Sequence, residues 1–142
     1  MNRRDALTTL GALAITPAAA LAAAPAAKAP AKEPDYKALS EAAHACIHAA
    51  EECIDHCITM LSMGDKSMAE CFAAVRQMKP MCEALEELAH LKSPHTKAHA
   101  ALCAKVCREC EKACKPHAEH PPCKACMEAC AKCATECEKA AA

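Results

Sequence analysis

The sequence predicts an all-α protein, an antiparallel up-down-up-down four-helix bundle whose core is lined with cysteine. Three observations predict this class. Apolar and cysteine residues recur at alternating steps of four and three along four segments, which is the spacing of one face of an amphipathic helix. Short connections with proline, glycine or capping residues separate the segments, and such connections force neighbouring helices to run antiparallel. Every one of the fourteen cysteines falls on an inward face of these segments.

The N-terminal residues 1–24 have the pattern of a twin-arginine export signal. Arg3 and Arg4 precede an uncharged run over residues 6–27 that is rich in Ala and Leu, and Ala20-Leu21-Ala22 is a small-residue cleavage pattern. The alternative is a membrane anchor, but two prolines and the weak hydrophobicity of alanine disfavour a stable membrane span. We therefore predict that this signal is removed during export to the periplasm or an equivalent compartment, and that the mature chain has no membrane span.

The rest of the chain is predicted to form a linker and one domain. Residues 25–36 contain three prolines and no periodicity, which predicts a flexible linker. Residues 37–142 are predicted to form the bundle. Its first helix runs from Lys37 to about Met63, because Gly64 is the residue type that most often takes the left-handed conformation after a helix.

Capping signals place the next two helices. The sequence Ser67-Met68-Ala69-Glu70 is a capping box, which predicts the start of the second helix, and this helix continues to about Leu91. Ser93 and Pro94 predict the N-cap and the first position of the third helix.

Prolines end the third helix and open the fourth. The third helix is predicted to end at Pro116, and the fourth to run from Pro121-Pro122 to about Ala140. Steps of four and three residues along the four helices place all cysteines on the inward faces. The candidate thiolate ligands are Cys46, Cys53, Cys57, Cys71, Cys82, Cys103, Cys107, Cys110, Cys114, Cys123, Cys126, Cys130, Cys133 and Cys137.

The composition excludes several functional classes. Two glycines in 142 residues leave no glycine-rich loop for a phosphate or a dinucleotide. A net charge of −1, with one Tyr, one Phe and no Trp, disfavours nucleic acid as a partner. No nucleophile is paired with a base, so we predict that the protein is not an enzyme. The fourteen cysteines must therefore carry the function.

Disulfide bonds are the ordinary interpretation of a cysteine-rich exported protein. However, several cysteines are four residues apart on one helix, as are Cys53 and Cys57, and such pairs join consecutive turns without constraining the fold. Their Cβ atoms are about 6 Å apart, whereas a disulfide requires roughly 3.8 Å. Bridges between helices stay open as an alternative.

Zinc or iron–sulfur centres are the second interpretation. Three Cys-x-x-Cys pairs have suitable spacing, but each lies within a helical segment and not on the loops that hold tetrahedral zinc; the pairs begin at Cys107, Cys123 and Cys130. The sequence contains no Cys-x-x-Cys-His, so c-type haem is excluded.

Charge balance favours monovalent copper. Fourteen thiolates bound to about four tetrahedral Zn²⁺ ions keep about six negative charges in a buried core, which is costly. One Cu(I) per cysteine, with each thiolate bridging two ions, leaves the core neutral, and soft thiolates select Cu(I). Cuprous copper is therefore the metal that fits this core best. The alternative is a thiol-based zinc buffer or a redox-responsive cysteine-rich protein.

With its repeated Cys-x-x-x-Cys pairs along helices over about residues 37–140, the sequence resembles the exported bacterial copper storage protein family. The resemblance implies a bundle that holds around one Cu(I) per cysteine, for sequestration and later supply to copper enzymes. It also implies a homotetramer, a copper donor or acceptor protein as a partner, and additional ligands at the open end of the bundle. At the matching positions here those ligands are His56, Met60, Met63 and Met68.

The helix order predicts two different ends for the bundle. The first and third connections lie at the same end in this topology, which brings the three methionines near His117 and His120. Thioether and imidazole groups suit transient capture of Cu(I), although methionines also fill gaps in a core. The other end is predicted to be an apolar plug of five leucines: Leu39, Leu85, Leu88, Leu91 and Leu102. The sequence assigns no role to His44, His48, His90, His95 and His99.

Overall fold

Four helices make up most of residues 35–142, the part of the chain that this computed structural model describes. The helices are α1 (Lys37–Ser62), α2 (Ala69–His90), α3 (Thr96–Cys114) and α4 (Pro121–Ala141). Helices α1 and α3 each pack against both α2 and α4, so the four form a closed bundle. The predicted all-α four-helix bundle is therefore confirmed. The predicted signal and the predicted linker up to residue 34 lie outside the described residues.

The helix ends that depend on glycine and proline are confirmed. Gly64 follows α1 with a φ of 93°, which is the left-handed conformation that glycine adopts without strain. Helix α3 ends two residues before Pro116, where a short 3₁₀ turn (Lys115–His117) leads towards α4, and α4 begins at Pro121. Proline is well suited to this first position because the amide hydrogen it lacks has no partner within the helix.

The predicted start of the second helix is wrong in its details. Ser67 does not cap the helix; its backbone N–H and its hydroxyl both donate to Asp65 Oδ1, at 3.0 and 2.6 Å. A 3₁₀ turn (Lys66–Met68) follows this aspartate, and α2 begins at Ala69. A carboxylate is a stronger acceptor than a hydroxyl, so Asp65 takes the capping role.

The third helix also begins later than predicted. Ser93 Oγ accepts a hydrogen bond from the backbone N–H of His95, as an N-cap residue does, but the helix itself begins at Thr96. The buried Thr96 hydroxyl points at the backbone carbonyls of Leu88 and Ser93, each at 2.8 Å. These contacts tie the start of α3 to the end of α2 and hold the connection in place.

The core of the bundle consists mainly of sulfur and small side chains. All fourteen cysteines are fully buried, and alanines fill most of the remaining inward positions. Among the described residues the buried polar side chains are Ser40 and Thr96, and no lysine, arginine, aspartate or glutamate is buried. The core therefore contains no side-chain cation that could neutralise ionised thiols.

The two ends of the bundle differ, as predicted. At one end, here called the mouth, the α1–α2 and α3–α4 connections meet, and the rings of His56 and His120 are 4.8 Å apart. The opposite end is closed by Tyr36, Leu39 and Leu85, which are buried. A contact of 2.7 Å between Ser40 Oγ and a ring nitrogen of His90 joins α1 to α2 there.

The predicted leucine plug is only partly correct. Leu91 and Leu102 are 67% and 51% exposed, so they lie outside the core. Leu91 follows the last residue of α2. Leu102 lies on the outer side of α3, next to a cysteine that faces the core. Neither leucine therefore reaches the inward face of its helix. Tyr36, which the sequence analysis assigned to the linker, closes this end instead. No helix within residues 35–142 combines the length and the apolar character needed to cross a bilayer.

Candidate metal site

The sulfur atoms of the core form groups from one end of the bundle to the other. Five groups of three or four thiols have all their Sγ atoms within 4.8 Å of one another. Together these groups include all fourteen cysteines. The groups are Cys53/Cys57/Cys71/Cys123, Cys53/Cys114/Cys126, Cys110/Cys126/Cys130, Cys46/Cys82/Cys107/Cys133 and Cys103/Cys133/Cys137.

The five groups are connected into one network. Cys53, Cys126 and Cys133 each belong to two groups, so a metal ion in one group would share a thiolate with its neighbour. The remaining gap is closed by Cys46 and Cys130, whose Sγ atoms are 3.6 Å apart. The thiols are therefore not a set of separate sites but a continuous chain of donors along the bundle axis.

Most sulfur–sulfur contacts have the span of two thiolates bound to one ion. Contacts between helices range from 3.2 Å for Cys71 and Cys114 to 3.9 Å for Cys82 and Cys133. Two thiolates at about 2.3 Å from one tetrahedral ion are about 3.8 Å apart. All fourteen cysteines are free thiols in the structure. The side chains therefore need little rearrangement to bind metal.

Met78 is a candidate ligand that the sequence analysis did not identify. Its thioether Sδ is buried at 3.3 Å from Cys46 Sγ and 3.4 Å from Cys82 Sγ. A thioether is a soft donor, as a thiolate is, but it carries no charge. The register of α2 places this methionine between two inward cysteines, so its position was predictable, whereas its contacts with two thiols depend on side-chain packing across the bundle.

The predicted mouth ligands occupy different depths. Met68 is buried, Met60 is half-buried and Met63 is 68% exposed. His56 is half-buried, and its Nε2 atom is buried without a hydrogen-bond partner among the described residues. A buried imidazole nitrogen normally has a partner, so this atom is available to a metal ion.

The thiols nearest the mouth are weak acids. Burial raises the pKa of Cys57 to about 12 and that of Cys123 to about 11, and the nearby charge of Cys71 adds to both shifts. Deeper in the bundle, hydrogen bonds with neighbouring thiols and then burial raise the pKa of seven further thiols: Cys46, Cys53, Cys82, Cys103, Cys114, Cys130 and Cys137. At Cys53 the hydrogen bond with Cys114 opposes the rise, but the other contacts and burial outweigh it. These groups hold their protons at neutral pH.

Four thiols have the opposite shift. Each accepts hydrogen bonds from the S–H groups around it, which stabilise its thiolate form and lower its pKa. These four are Cys71, Cys107, Cys126 and Cys133. These four thiols therefore give up their protons more readily than the thiols around them.

Comparisons with known proteins identify the family. A family model described as copper storage protein (Csp) matches residues 32–142. Apo copper storage protein 3 from Bacillus subtilis is 32% identical to the chain, with a TM-score of 0.66 over 75% of this chain and 99% of that one. Cu(I)-bound copper storage protein BsCsp3 is 29% identical, with a TM-score of 0.70 over 77% and 100% of the two chains. None of the curated proteins matches the sequence. On these matches and on the cysteine-lined bundle, the chain belongs to the copper storage protein family.

Proposed function

We propose that this protein stores many Cu(I) ions per chain on the thiolates inside its bundle and later supplies them to copper enzymes. The observation that carries this proposal is the continuity of the sulfur network, in which three cysteines are each shared between two groups. Shared thiolates are suited to bridging neighbouring monovalent ions. Separate tetrahedral zinc sites have no need of a continuous chain of donors.

Electrostatics supports copper over zinc. Fourteen thiolates require fourteen positive charges for neutrality, and no lysine or arginine is buried among the described residues. Each tetrahedral Zn²⁺ binds four thiolates but carries only two positive charges, so negative charge is left over in the core. Each buried thiolate that stays uncompensated costs several kcal/mol. Cu(I) at one ion per thiolate leaves none, and it prefers soft sulfur donors.

A titration with competing ligand tests the proposal. The reduced protein is titrated anaerobically with Cu(I) in the presence of a chromogenic Cu(I) chelator, and the bound ions are counted per chain. We expect more than about ten ions per chain, because bridging thiolates serve two ions each. Saturation at about four ions would match tetrahedral coordination and support the zinc-buffer alternative.

Copper is proposed to enter and leave through the mouth. His56, Met60 and Met63 offer soft donors between solvent and the thiol group of Cys57, Cys71 and Cys123. At the opposite end, the buried side chains of the described residues are apolar or carry a hydroxyl group. The first thiols to bind copper are therefore Cys57, Cys71, Cys114 and Cys123.

Replacement of the three mouth methionines tests this route. Leucine keeps nearly the same volume and helix propensity, so the Met60→Leu/Met63→Leu/Met68→Leu variant is expected to fold. Its capacity should fall by a few ions at most, whereas the rates of loading and of removal by a chelator should change several-fold. Met127→Leu, which changes a half-buried methionine on α4, is the matched control. Parent rates in the triple variant would mean that these methionines only fill space.

Export, assembly and partners extend the proposal. The paired arginines and alanine-rich run of residues 1–24 support twin-arginine export, and hence a periplasmic or equivalent location. We propose a homotetramer, a copper donor or acceptor protein as partner, and no catalytic role. Ile58 and Leu102, which are 49% and 51% exposed, are large apolar side chains that a contact between subunits would cover.

A further inference from the structure

Two histidines outside the thiol core meet on the outer surface of α1. His44 and His48 are one helical turn apart, and their Nε2 atoms are 3.1 Å from each other. The ring planes are at 77° with centroids 4.6 Å apart, so the two rings meet edge to face with their Nε2 atoms in contact. Both side chains are exposed, at 58% and 65%. A solute can therefore reach the pair directly, without passing through the mouth.

The other ring nitrogen of each histidine faces a carboxylate. His44 Nδ1 is 3.0 Å from Glu86 Oε1 on α2, and His48 Nδ1 is 3.8 Å from Glu51 Oε2 on α1. The second oxygen of Glu51 is held by Lys79 Nζ at 3.3 Å. An ionised carboxylate only accepts hydrogen bonds, so His44 must carry a proton on Nδ1, and its Nε2 is then free of hydrogen when the ring is neutral.

This arrangement leaves an electron pair on Nε2 of His44 directed at His48. His48 Nδ1 is 3.8 Å from Glu51, which is too far for a hydrogen bond, so that carboxylate does not fix the tautomer of His48. The two Nε2 atoms, 3.1 Å apart, are close enough to share one cation, either a proton or a metal ion. Two imidazole nitrogens bound at about 2.1 Å to one ion are about 3.0–3.4 Å apart, depending on the coordination angle. The observed separation falls in that range.

We propose that His44 and His48 form an outer binding site for one borderline divalent cation, such as Cu²⁺ or Zn²⁺. Imidazole suits these ions, whereas the thiolate core suits Cu(I). Glu86 orients the ring of His44 from behind through Nδ1, as carboxylates do for histidines that bind metal, and Glu51 places a second negative charge behind His48. The chain therefore has two kinds of metal site, a soft one inside the bundle and a harder one on its surface. This second site goes beyond the storage of Cu(I).

Another histidine pair provides a matched control. His95 and His99 have the same spacing of four residues near the start of α3. A ring nitrogen of His99, however, lies 2.9 Å from the backbone carbonyl of Met81, so that nitrogen carries a proton and donates it. Equal spacing without two converging free nitrogens gives no site. A variant at His95 should therefore not affect binding of the cation.

The test uses Cu²⁺ as the probe on protein already filled with Cu(I). Loading under anaerobic conditions to saturation occupies the thiols, and the Cu(I) ions give no electron paramagnetic resonance signal. Addition of one equivalent of Cu²⁺ is expected to give one signal per chain with couplings from two nitrogens. His48→Ala should abolish the two-nitrogen signal, His95→Ala should leave it unchanged, and Glu86→Gln should weaken binding at least about tenfold.

Two results would overturn the site. The first is an unchanged two-nitrogen signal in the His44→Ala/His48→Ala variant, which would place Cu²⁺ elsewhere, as at the histidines of the mouth. The second is a parent protein that shows no signal except that of unbound Cu²⁺, which would mean that a shared proton links the two rings. Both replaced residues are exposed, so the fold should be retained, and circular dichroism checks this. The number of Cu(I) ions loaded beforehand reports separately on the proposed storage function.

Discussion

Loading of the reduced protein with Cu(I) at pH 7 is expected to release at least nine protons per chain. Nine thiols have a raised pKa and are protonated in the metal-free protein. A thiol must lose its proton before it binds Cu(I) as a thiolate, so each of these nine gives up one. The four thiols whose pKa is lowered contribute fewer protons, because each holds its proton less tightly.

The direction of the pH dependence follows from this exchange. A raised pKa means that the proton is held at neutral pH and competes with the metal, so copper affinity rises with pH and falls on acidification. Proton release is measured with a pH indicator in weak buffer during anaerobic titration. Copper added to protein with alkylated thiols is the control. Release of four protons or fewer at full loading would mean that most of the core is already ionised, contrary to the pKa shifts of its buried thiols.

Copper loading is also expected to raise the midpoint of thermal unfolding by more than about 20 °C. Each ion that binds only the folded chain, at a thousand times its dissociation constant, adds about 4 kcal/mol of stability. One kcal/mol corresponds to about 4–8 °C for a domain near this size. Because many ions bind in one chain, even a fraction of this effect gives a large shift.

The metal-free protein should nevertheless remain helical. Neutral thiols are small apolar groups, and alanine-rich helices with good ends form without metal. Circular dichroism of the reduced metal-free and copper-loaded proteins, followed during heating, measures both expectations. Protein loaded with one equivalent of Cu(I) is the intermediate control. A metal-free chain without helix at 25 °C would mean that metal drives folding, and equal midpoints would mean that copper binds the unfolded chain as well.

The cysteine-lined core could be predicted from the sequence because helix geometry determines it. Residues four and three apart share a helix face, so the positions of the cysteines alone give the register of all four helices. Gly64 and Pro121 mark their helix ends for equally local reasons. Burial of all fourteen cysteines confirms that the register of the prediction was correct.

Other features could not be predicted because they depend on competition between neighbours. Ser67 has the sequence of a cap, but Asp65 two residues earlier binds its hydroxyl and its N–H. Leu91 and Leu102 are as apolar as Leu39, yet their exposure depends on how the end of α2 and the first turns of α3 meet the neighbouring helices.

Contacts between helices were the least predictable part of both sites. The approach of Met78 to Cys46 requires α1 and α2 to be docked. The hydrogen bond between His44 and Glu86, which lie 42 residues apart in the chain, requires the same docking. A single sequence contains the spacing of two histidines on one helix, but not the carboxylate that orients them from another.

The cysteines on the inward faces also affect the stability of the metal-free protein. A thiol buries less apolar surface than leucine or isoleucine, so each cysteine on a seam weakens the cohesion of the metal-free bundle by roughly 1 kcal/mol. The number of ions that the bundle binds and the stability of the metal-free fold therefore depend on the same positions. Val75 and Leu85 are two of the few bulky buried side chains. A cysteine in place of either would increase the number of ions bound and make the metal-free protein unfold more readily. The amount of bound copper thus determines the lifetime of the folded protein.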